Sequence, residues 1–359
     1  YDINSRTATT ILGGEVTNLL SIEQILGTNF DDHIVADGDI TFADGLGGRD
    51  IIEVVNFGVT AQVSNGSAIF VEVTSEGLGT TYIGGDFFDT VNYLRDTAVD
   101  TDLLASGPNT DSFTNINLFR LTAFDDIFRD SDDSHLIVGD RGDGVSGDDL
   151  IFGRGGADTI RGGAGDDTIS GGAGADQLDG GEGRDMLTYG AAQTSVFIRL
   201  QPELNGLTPG DSDSPSFTGR GFRGDARGDQ LSRFEDVRGT GFDDIIFGDS
   251  GANLLLGGGG ADRLAAQAGD DSLFGQGGDD ILWRGDRIGN EFVGGNNRLH
   301  GGGGFDIVAF DYNSEFELDA DATAEFFTLT GDVIRPVLVE RSNVTISGTV
   351  ELTTSINAV

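Results

Sequence analysis

The chain has 359 residues and a formal charge of −40, from 61 acidic and 21 basic side chains. All the basic residues are Arg, Cys is absent and 47 of the acids are Asp; nucleic acid and anionic membrane lack the basic face they need, and disulfides and thiolate metal sites are excluded. Hydrophobic residues make up 37% and Phe fills 24 positions, too apolar for a disordered acidic chain, while no apolar run reaches the ~18 residues of a membrane-spanning helix.

From the N-terminus, Tyr1 resembles Tyr93 and Tyr189, each of which directly follows a nine-residue unit, so sequence is expected upstream. SIEQILGTNFDD (21–32) reads as a lead-in strand to three degenerate units, 27–35, 36–44 and 45–53. They carry Asp32, Thr41 and Asp50 at the sixth position. Segment 54–120 reads as a β insert. Within it QVSNGSAIFVEV places Asn65-Gly66 between alternating apolar residues, a hairpin signal, and one lone unit, 84–92, carries Asp89. A second lead-in, NINLFRLTAFDD (115–126), precedes units 121–129 and 130–138, with Asp126 and His135 at position 6.

After a break in phase at 139–143, five units run without a spacer from 144 to 188. Their sixth residues are Asp149, Asp158, Asp167, Asp176 and Asp185, and their eighth are Ile151, Ile160, Ile169, Leu178 and Leu187. Segment 189–238 reads as another β insert, with Val196, Ile198 and Leu200 on one face of SVFIRL, then a Gly/Asp/Ser/Pro loop. It ends in the third lead-in, SRFEDVRGTGFDD (232–244), before a second five-unit block at 239–283 with Asp244, Asn253, Asp262, Asp271 and Asp280. An eight-residue irregularity at 284–291 precedes units 292–300 and 301–309, with Asn297 and Asp306. The tail, 310–359, reads as β-rich. In all there are 18 units, and the two breaks in phase are expected to interrupt the array.

Each unit dictates its own conformation. Its Gly- and Asp-rich first six residues favour turns with positive φ. Its last three are β-compatible, with one apolar side chain turned inward. Two units close one coil, and stacked coils form parallel sheets about 4.8 Å apart. Stacking sets carboxylate on carboxylate. At ~5 Å each pair repels by about 3 kcal/mol for an effective dielectric near 20, and one Ile or Leu contributes only about 1.5–3 kcal/mol. A divalent cation between loops reverses the sign, and unpaired loop carbonyls add ligands. Hard oxygens on a flexible loop favour Ca²⁺ over Mg²⁺, and with only His33, His135 and His300 available Zn²⁺ is not expected.

GGAGDDTIS (162–170) and GGAGADQLD (171–179) match the pattern G-G-x-G-x-D-x-U-x at every defined position, and the repeats resemble the RTX (repeats-in-toxin) haemolysin-type calcium-binding nonapeptide family. The resemblance implies an all-β fold: right-handed parallel β-roll blocks, interrupted here by antiparallel β inserts, in an elongated chain. It also implies a bacterial protein, type I secreted, that folds on Ca²⁺ outside the cell. In the family's site, carbonyls at positions 2 and 4 of one loop meet those at positions 1 and 3 of the loop two units later, and both loops give their Asp. Carried over, one site is Gly163, Gly165 and Asp167 with Gly180, Glu182 and Asp185. Gly147, Gly156, Gly162, Gly171, Gly257, Gly258, Gly260, Gly275 and Gly277 are the corresponding carbonyl donors elsewhere. With these go the aspartates Asp32, Asp50, Asp149, Asp158, Asp176, Asp244, Asp262, Asp271, Asp280 and Asp306. Where Thr41, His135, Asn253 or Asn297 replaces Asp, sites should be weak or absent.

Blander readings stand beside these. A Gly-rich linker would not keep phase with an apolar eighth position, and without Lys no Walker motif can be completed. The histidines read as ordinary substitutions, since no H-E-x-x-H is present, and no G-x-S-x-G elbow stands out. Trp283 and the Phe residues of the inserts read as core before they read as sugar platforms. No catalytic constellation emerges, so the chain reads as a non-enzymatic, extracellular structural region of surface-layer, adhesin or matrix type. Self-association, other cell-surface proteins or polysaccharide are then the partners for the inserts. The alternative is the secretion, folding and substrate-binding region of a secreted protease, lipase or polysaccharide lyase or epimerase whose catalytic domain lies elsewhere.

Overall fold

The structure is a computed structural model, and it describes residues 24–309 except 37–39, 56–57, 74–78, 95–96, 107–109, 141–146, 201–218, 284–286, 289–290 and 293–296. The C-terminal tail, the start of the first lead-in and the Gly/Asp/Ser/Pro loop lie outside the described residues. The chain divides into two compact units, 1–167 and 168–359. Among the described residues there is no α-helix.

In the first unit one face is a parallel ladder of strands His33–Ala36, Arg49–Val54, Ser67–Glu72, Thr90–Tyr93, Leu118–Arg120, Leu136–Val138 and Thr159–Ala164. The facing strands are Gln24–Thr28, Phe42–Leu46, Thr60–Gln62, Thr81–Ile83 and Ser112–Thr114, followed by a separate ladder of Asp100–Asp102, Ile127–Arg129 and Leu150–Phe152. The middle residue of each short strand is turned inward, so among the described side chains the eighth position of the units becomes core. Phe128 pairs with Ile151 and Ile137 with Ile160, all four fully buried.

The hairpin expected at Asn65-Gly66 does not form. Thr60–Gln62 and Ser67–Glu72 join opposite faces, each pairing in parallel with strands of other coils. An Asn-Gly turn between alternating apolar segments serves a coil corner as well as a hairpin, and alternation alone does not say which. The described part of 54–120 is therefore more roll, with parallel rather than antiparallel pairing.

In the second unit one face carries strands Thr168–Ser170, Met186–Thr188, Asp236–Arg238, Leu254–Gly259, Ser272–Gly277 and Arg298–Gly303. The other carries Gln177–Glu182, Gln230–Ser232, Gly219–Arg223, Phe197–Arg199, Ile245–Phe247, Arg263–Ala265, Ile281–Trp283 and Ile307–Ala309. Here the expected antiparallel insert is present: Gly219–Arg223 runs antiparallel to both neighbours. Val237, Leu255, Leu273 and Leu299 form one apolar ladder, and Ile246, Leu264 and Leu282 the other; each is at most 1% exposed.

The two phase breaks do not interrupt the roll. Ile127–Arg129 pairs directly with Leu150–Phe152, and Ile281–Trp283 with Ile307–Ala309. At the second break Arg287–Ile288 and Glu291–Phe292 pair antiparallel over two rungs. Stacking register is a long-range property, and a local insertion at a corner need not disturb it. Trp283 is half-buried, Phe70, Phe119 and Phe234 are core, and Phe222 is exposed.

Candidate metal centres

Position 6 is fixed by the coil beneath it. The Oδ1 of Asp167 accepts the backbone N–H of Asp149 at 2.8 Å, and that of Asp149 accepts Asp126 N–H at 2.9 Å. The same bond joins Asp244 to Asp262, Asp262 to Asp280 and Asp280 to Asp306 at 2.8–3.0 Å, and Asp32 to Asp50 at 3.0 Å. Each carboxylate thus satisfies a donor of the preceding coil, and each is aimed by it. All these aspartates except Asp32 are buried.

The second oxygen turns into the loop. A methyl group on Gly257 would lie 2.2 Å from Asp262 Oδ2 and 2.8 Å from the Gly275 carbonyl oxygen; on Gly275, 2.0 Å from Asp280 Oδ2 and 2.6 Å from Gly301 O. Gly139 faces Asp149 Oδ2 and Gly162 O in the same way, both at 2.2 Å. At these positions glycine leaves its side-chain space to the carboxylate, although Leu121 and Ala266 fill position 1 in the units of Asp126 and Asp271. Gly171 and Gly180 repeat this with Asp176 and Asp185 at 2.4 and 2.6 Å. Position 4 is glycine for another reason: φ is positive, and the carbonyl of the coil below rises into it. Gly165 so sits over Gly147 O, Gly156 over Asp133 O and Gly278 over Gly260 O. Position 2 shares the positive φ at Gly163 and Gly258, but Arg154, Gln267 and Gln276 adopt it too.

Acceptors face one another across the gaps of Asp149 and Asp262. In the second unit Asp262 Oδ2, Gly260 O and Gly275 O converge there, with Asp280 above; in the first, Asp149 Oδ2, Gly147 O and Gly162 O, with Asp167 above. The Oδ2 atoms of Asp50, Asp262, Asp271 and Asp280 are buried without a hydrogen-bond partner. A buried carboxylate oxygen among acceptors must either take a proton or meet a cation. Burial, with the neighbouring carboxylates adding to it against the backbone hydrogen bond, pushes Asp149 and Asp262 up to about 8. Asp271 rises to about 7, and Asp50, Asp167 and Asp280 to about 6. Carboxylates with backbone carbonyls and no nitrogen or sulfur suit Ca²⁺.

Other expected ligands differ. Asp32 Oδ2 accepts the N–H and hydroxyl of Thr28 at 2.5 and 2.9 Å, and Asp244 Oδ2 the N–H of Thr240 at 2.5 Å. These units open a block, and the Thr of T-x-F-D-D, also seen at Thr122 beside Asp126, supplies internally the positive charge density that the later coils lack. Asn253 turns its amide nitrogen to Glu235 O at 2.8 Å and so donates where a cation would attract. Gly163 packs against Asp140 rather than a carbonyl. Of the carried-over site, Gly163, Gly165 and Asp167 belong to the first unit and Gly180, Glu182 and Asp185 to the second; Glu182 ends its strand exposed.

Sequence reasoning missed three groups. Position-5 aspartates form an outer ladder of opposite sense: Asp148 accepts Asp166 N–H, Asp243 accepts Ala261 N–H and Asp279 accepts Phe305 N–H, at 2.7–2.8 Å. The DD pairs were the available signal. The lead-ins shorten one loop to three residues, 115–117 and 233–235, with Asn115 and Arg233 at φ 54° and 53°; Asn117 and Glu235 then act as position 6, each accepting from Asp89 or Asp185 N–H at 2.8 Å. Asp229 does the same for Asp176 across 53 residues, at 3.0 Å, and takes a hydrogen bond from the buried Tyr189 hydroxyl. The Asp229-Gln230-Leu231 that repeats Asp176-Gln177-Leu178 was the available signal.

The family model of the RTX calcium-binding nonapeptide repeat matches residues 139–168, 152–187, 233–264, 256–286 and 293–309. No curated protein matches the chain.

Proposed function

The repeat blocks within 139–309 are RTX calcium-binding nonapeptide repeats, and from this we propose that the chain is a non-catalytic, calcium-folded structural region working outside the cell. The observation that carries it is the row of buried, unpartnered Oδ2 atoms at Asp262, Asp271 and Asp280, with the Gly275 and Gly301 carbonyl oxygens beside the first and the last. Ca²⁺ bound in these gaps would supply the positive charge that lets stacked carboxylates remain ionised. The chain's own residues do the rest. Position-6 Oδ1 aims each carboxylate, position-1 glycine keeps its space clear, and position-4 glycine lets the carbonyl below approach. Secretion fits the family, which is typical of secreted bacterial proteins, and among the described residues no helix is long and apolar enough to cross a membrane. A surface-layer, adhesin or matrix role is the finer form of the proposal, with partners met by the segments that leave the coils.

The test is a calcium titration of the metal-free chain followed by far-ultraviolet circular dichroism and protease resistance. Millimolar Ca²⁺ should convert an unfolded chain into a protease-resistant β-structure, and EGTA should reverse it. Equal rescue by Mg²⁺ would overturn the calcium assignment. Turnover of peptide, ester or uronan substrates by the calcium-loaded chain would overturn the non-catalytic one.

A further inference from the structure

One unit departs from the pattern with a metal-ligating side chain at each of positions 1 and 6. In 130–138 position 1 is Asp130 and position 6 is His135. In units 171–179, 180–188, 257–265 and 275–283 the position-6 carboxylate fills the space beside a position-1 glycine. Here the roles are exchanged: the carboxylate comes from position 1 and an imidazole replaces the aspartate. Asp130 Oδ1 lies 2.6 Å from His135 Nδ1, with the two side chains 0% and 9% exposed. The upper coil adds Asp158, whose Oδ1 accepts the His135 N–H at 2.9 Å. One ligand atom from each of Asp130, His135 and Asp158 lies within 4.8 Å of the others. The Oδ2 of Asp130 is buried and has no hydrogen-bond partner, and the Asp133 carbonyl rises into the same gap beneath Gly156.

We propose that Asp130, His135 and Asp158 form a metal site of different selectivity from the rest of the roll, taking a zinc-class divalent ion by one imidazole nitrogen and two carboxylates. An imidazole favours borderline ions over Ca²⁺, which prefers oxygen throughout. Three protein ligands of this kind, with one position left to water or a loop carbonyl, form a complete zinc set. Ligand atoms on one tetrahedral zinc stand about 3.4 Å apart, so the cluster needs to contract by roughly 1 Å at its widest. The neighbouring guanidinium does not forbid this. Arg154 donates to the Asp130 carbonyl, but its charge is met by a two-pronged pair with Asp102, both bonds 2.7 Å.

The test uses the untagged full chain saturated with Ca²⁺, so that folding is scored separately by circular dichroism, and Co²⁺ as a spectroscopic probe. One equivalent of Co²⁺ should give a visible d–d spectrum that Zn²⁺ abolishes and excess Mg²⁺ does not. His135→Gln and Asp130→Asn should each weaken binding at least about tenfold while the calcium-induced dichroism is unchanged. A His33→Gln/His300→Gln chain should bind as before. Absence of the spectrum in the calcium-folded wild type would overturn the proposal, as would its survival in both site variants. Failure of calcium to fold the wild-type chain would instead count against the calcium reading.

Discussion

The backbone N–H of Asp149 bonds to the Oδ1 of Asp167, 18 residues later, at 2.8 Å. The bond makes the carboxylate of one coil part of the backbone accounting of the coil before it, and leaves only Oδ2 for a cation. A residue valued for its charge is thereby also a structural cap, and the two roles can be separated experimentally.

Position 1 and position 3 glycines should differ sharply. A methyl on Gly275 would lie 2.0 Å from Asp280 Oδ2, whereas on Gly277 its nearest neighbour is Gly258 O at 3.8 Å. Gly275→Ala should cost about 2–4 kcal/mol and raise the calcium midpoint. Gly277→Ala keeps its carbonyl and should stay within about 0.5 kcal/mol of wild type. Denaturant melts in saturating calcium check both, and equal costs would refute the steric account.

Asp262→Asn should weaken calcium-dependent folding more than Asp244→Asn. Asp262 Oδ2 has no hydrogen-bond partner, while Asp244 Oδ2 accepts the Thr240 N–H. The first change deletes charge where only a cation can answer it; the second keeps an acceptor for the threonine. The calcium midpoint of each variant decides, and a larger shift for Asp244→Asn would reverse the assignment.

Without calcium, the roll should lose stability as pH rises. Burial raises the folded-state values of Asp149 and Asp262 to about 8, of Asp271 to about 7 and of Asp50 and Asp280 to about 6, above the ordinary 3.8. A carboxyl raised on folding contributes stability that is complete below its unfolded value and disappears as pH passes its folded value. The window here runs from about 4 to 8. Metal-free protein should therefore show more β-structure at the acid end than at the alkaline end, and calcium binding near neutrality should release protons. Calorimetry in buffers of different ionisation enthalpy measures the release.

Tyr189→Phe should destabilise the roll although the residue lies just outside the repeat unit that precedes it. Its hydroxyl satisfies Asp229, which burial holds at about 7 and which caps the Asp176 N–H. Removing one partner of a buried hydrogen bond costs about 1–3 kcal/mol. A melt unchanged from wild type would show that water or a neighbour replaces the phenol.

The apolar ladder and the two-units-per-coil plan were readable because position 8 recurs every nine residues and each strand needs only its middle side chain. The calcium-type gap was readable at Asp262 and Asp280 for the same reason. The hairpin at Asn65-Gly66 misled because a corner of the roll uses the same local chemistry. Glu235 was invisible as a cap because its partner, Asp185, lies 50 residues away, and Asp229, 53 residues from Asp176, was marked only by the D-Q-L the two segments share. The threonine of T-x-F-D-D was visible as a repeated letter, but its meaning lies in where Thr28 and Thr240 point their N–H groups.

The sense of the position-6 ladder gives the roll a polarity. Every coil is finished by the one that follows it, since Asp262 completes Asp244, Asp280 completes Asp262 and Asp306 completes Asp280. The two ends of such a stack are chemically unlike, as the ends of a filament are. At the start, the Thr28 N–H and hydroxyl act on Asp32 as a built-in plug, so the stack can be seeded there. At the far end there is always an N–H awaiting a carboxylate, and a truncation must leave one open. Lengthening the array by whole coils should therefore be easier than ending it, and whatever closes the last coil carries as much of the design as any repeat.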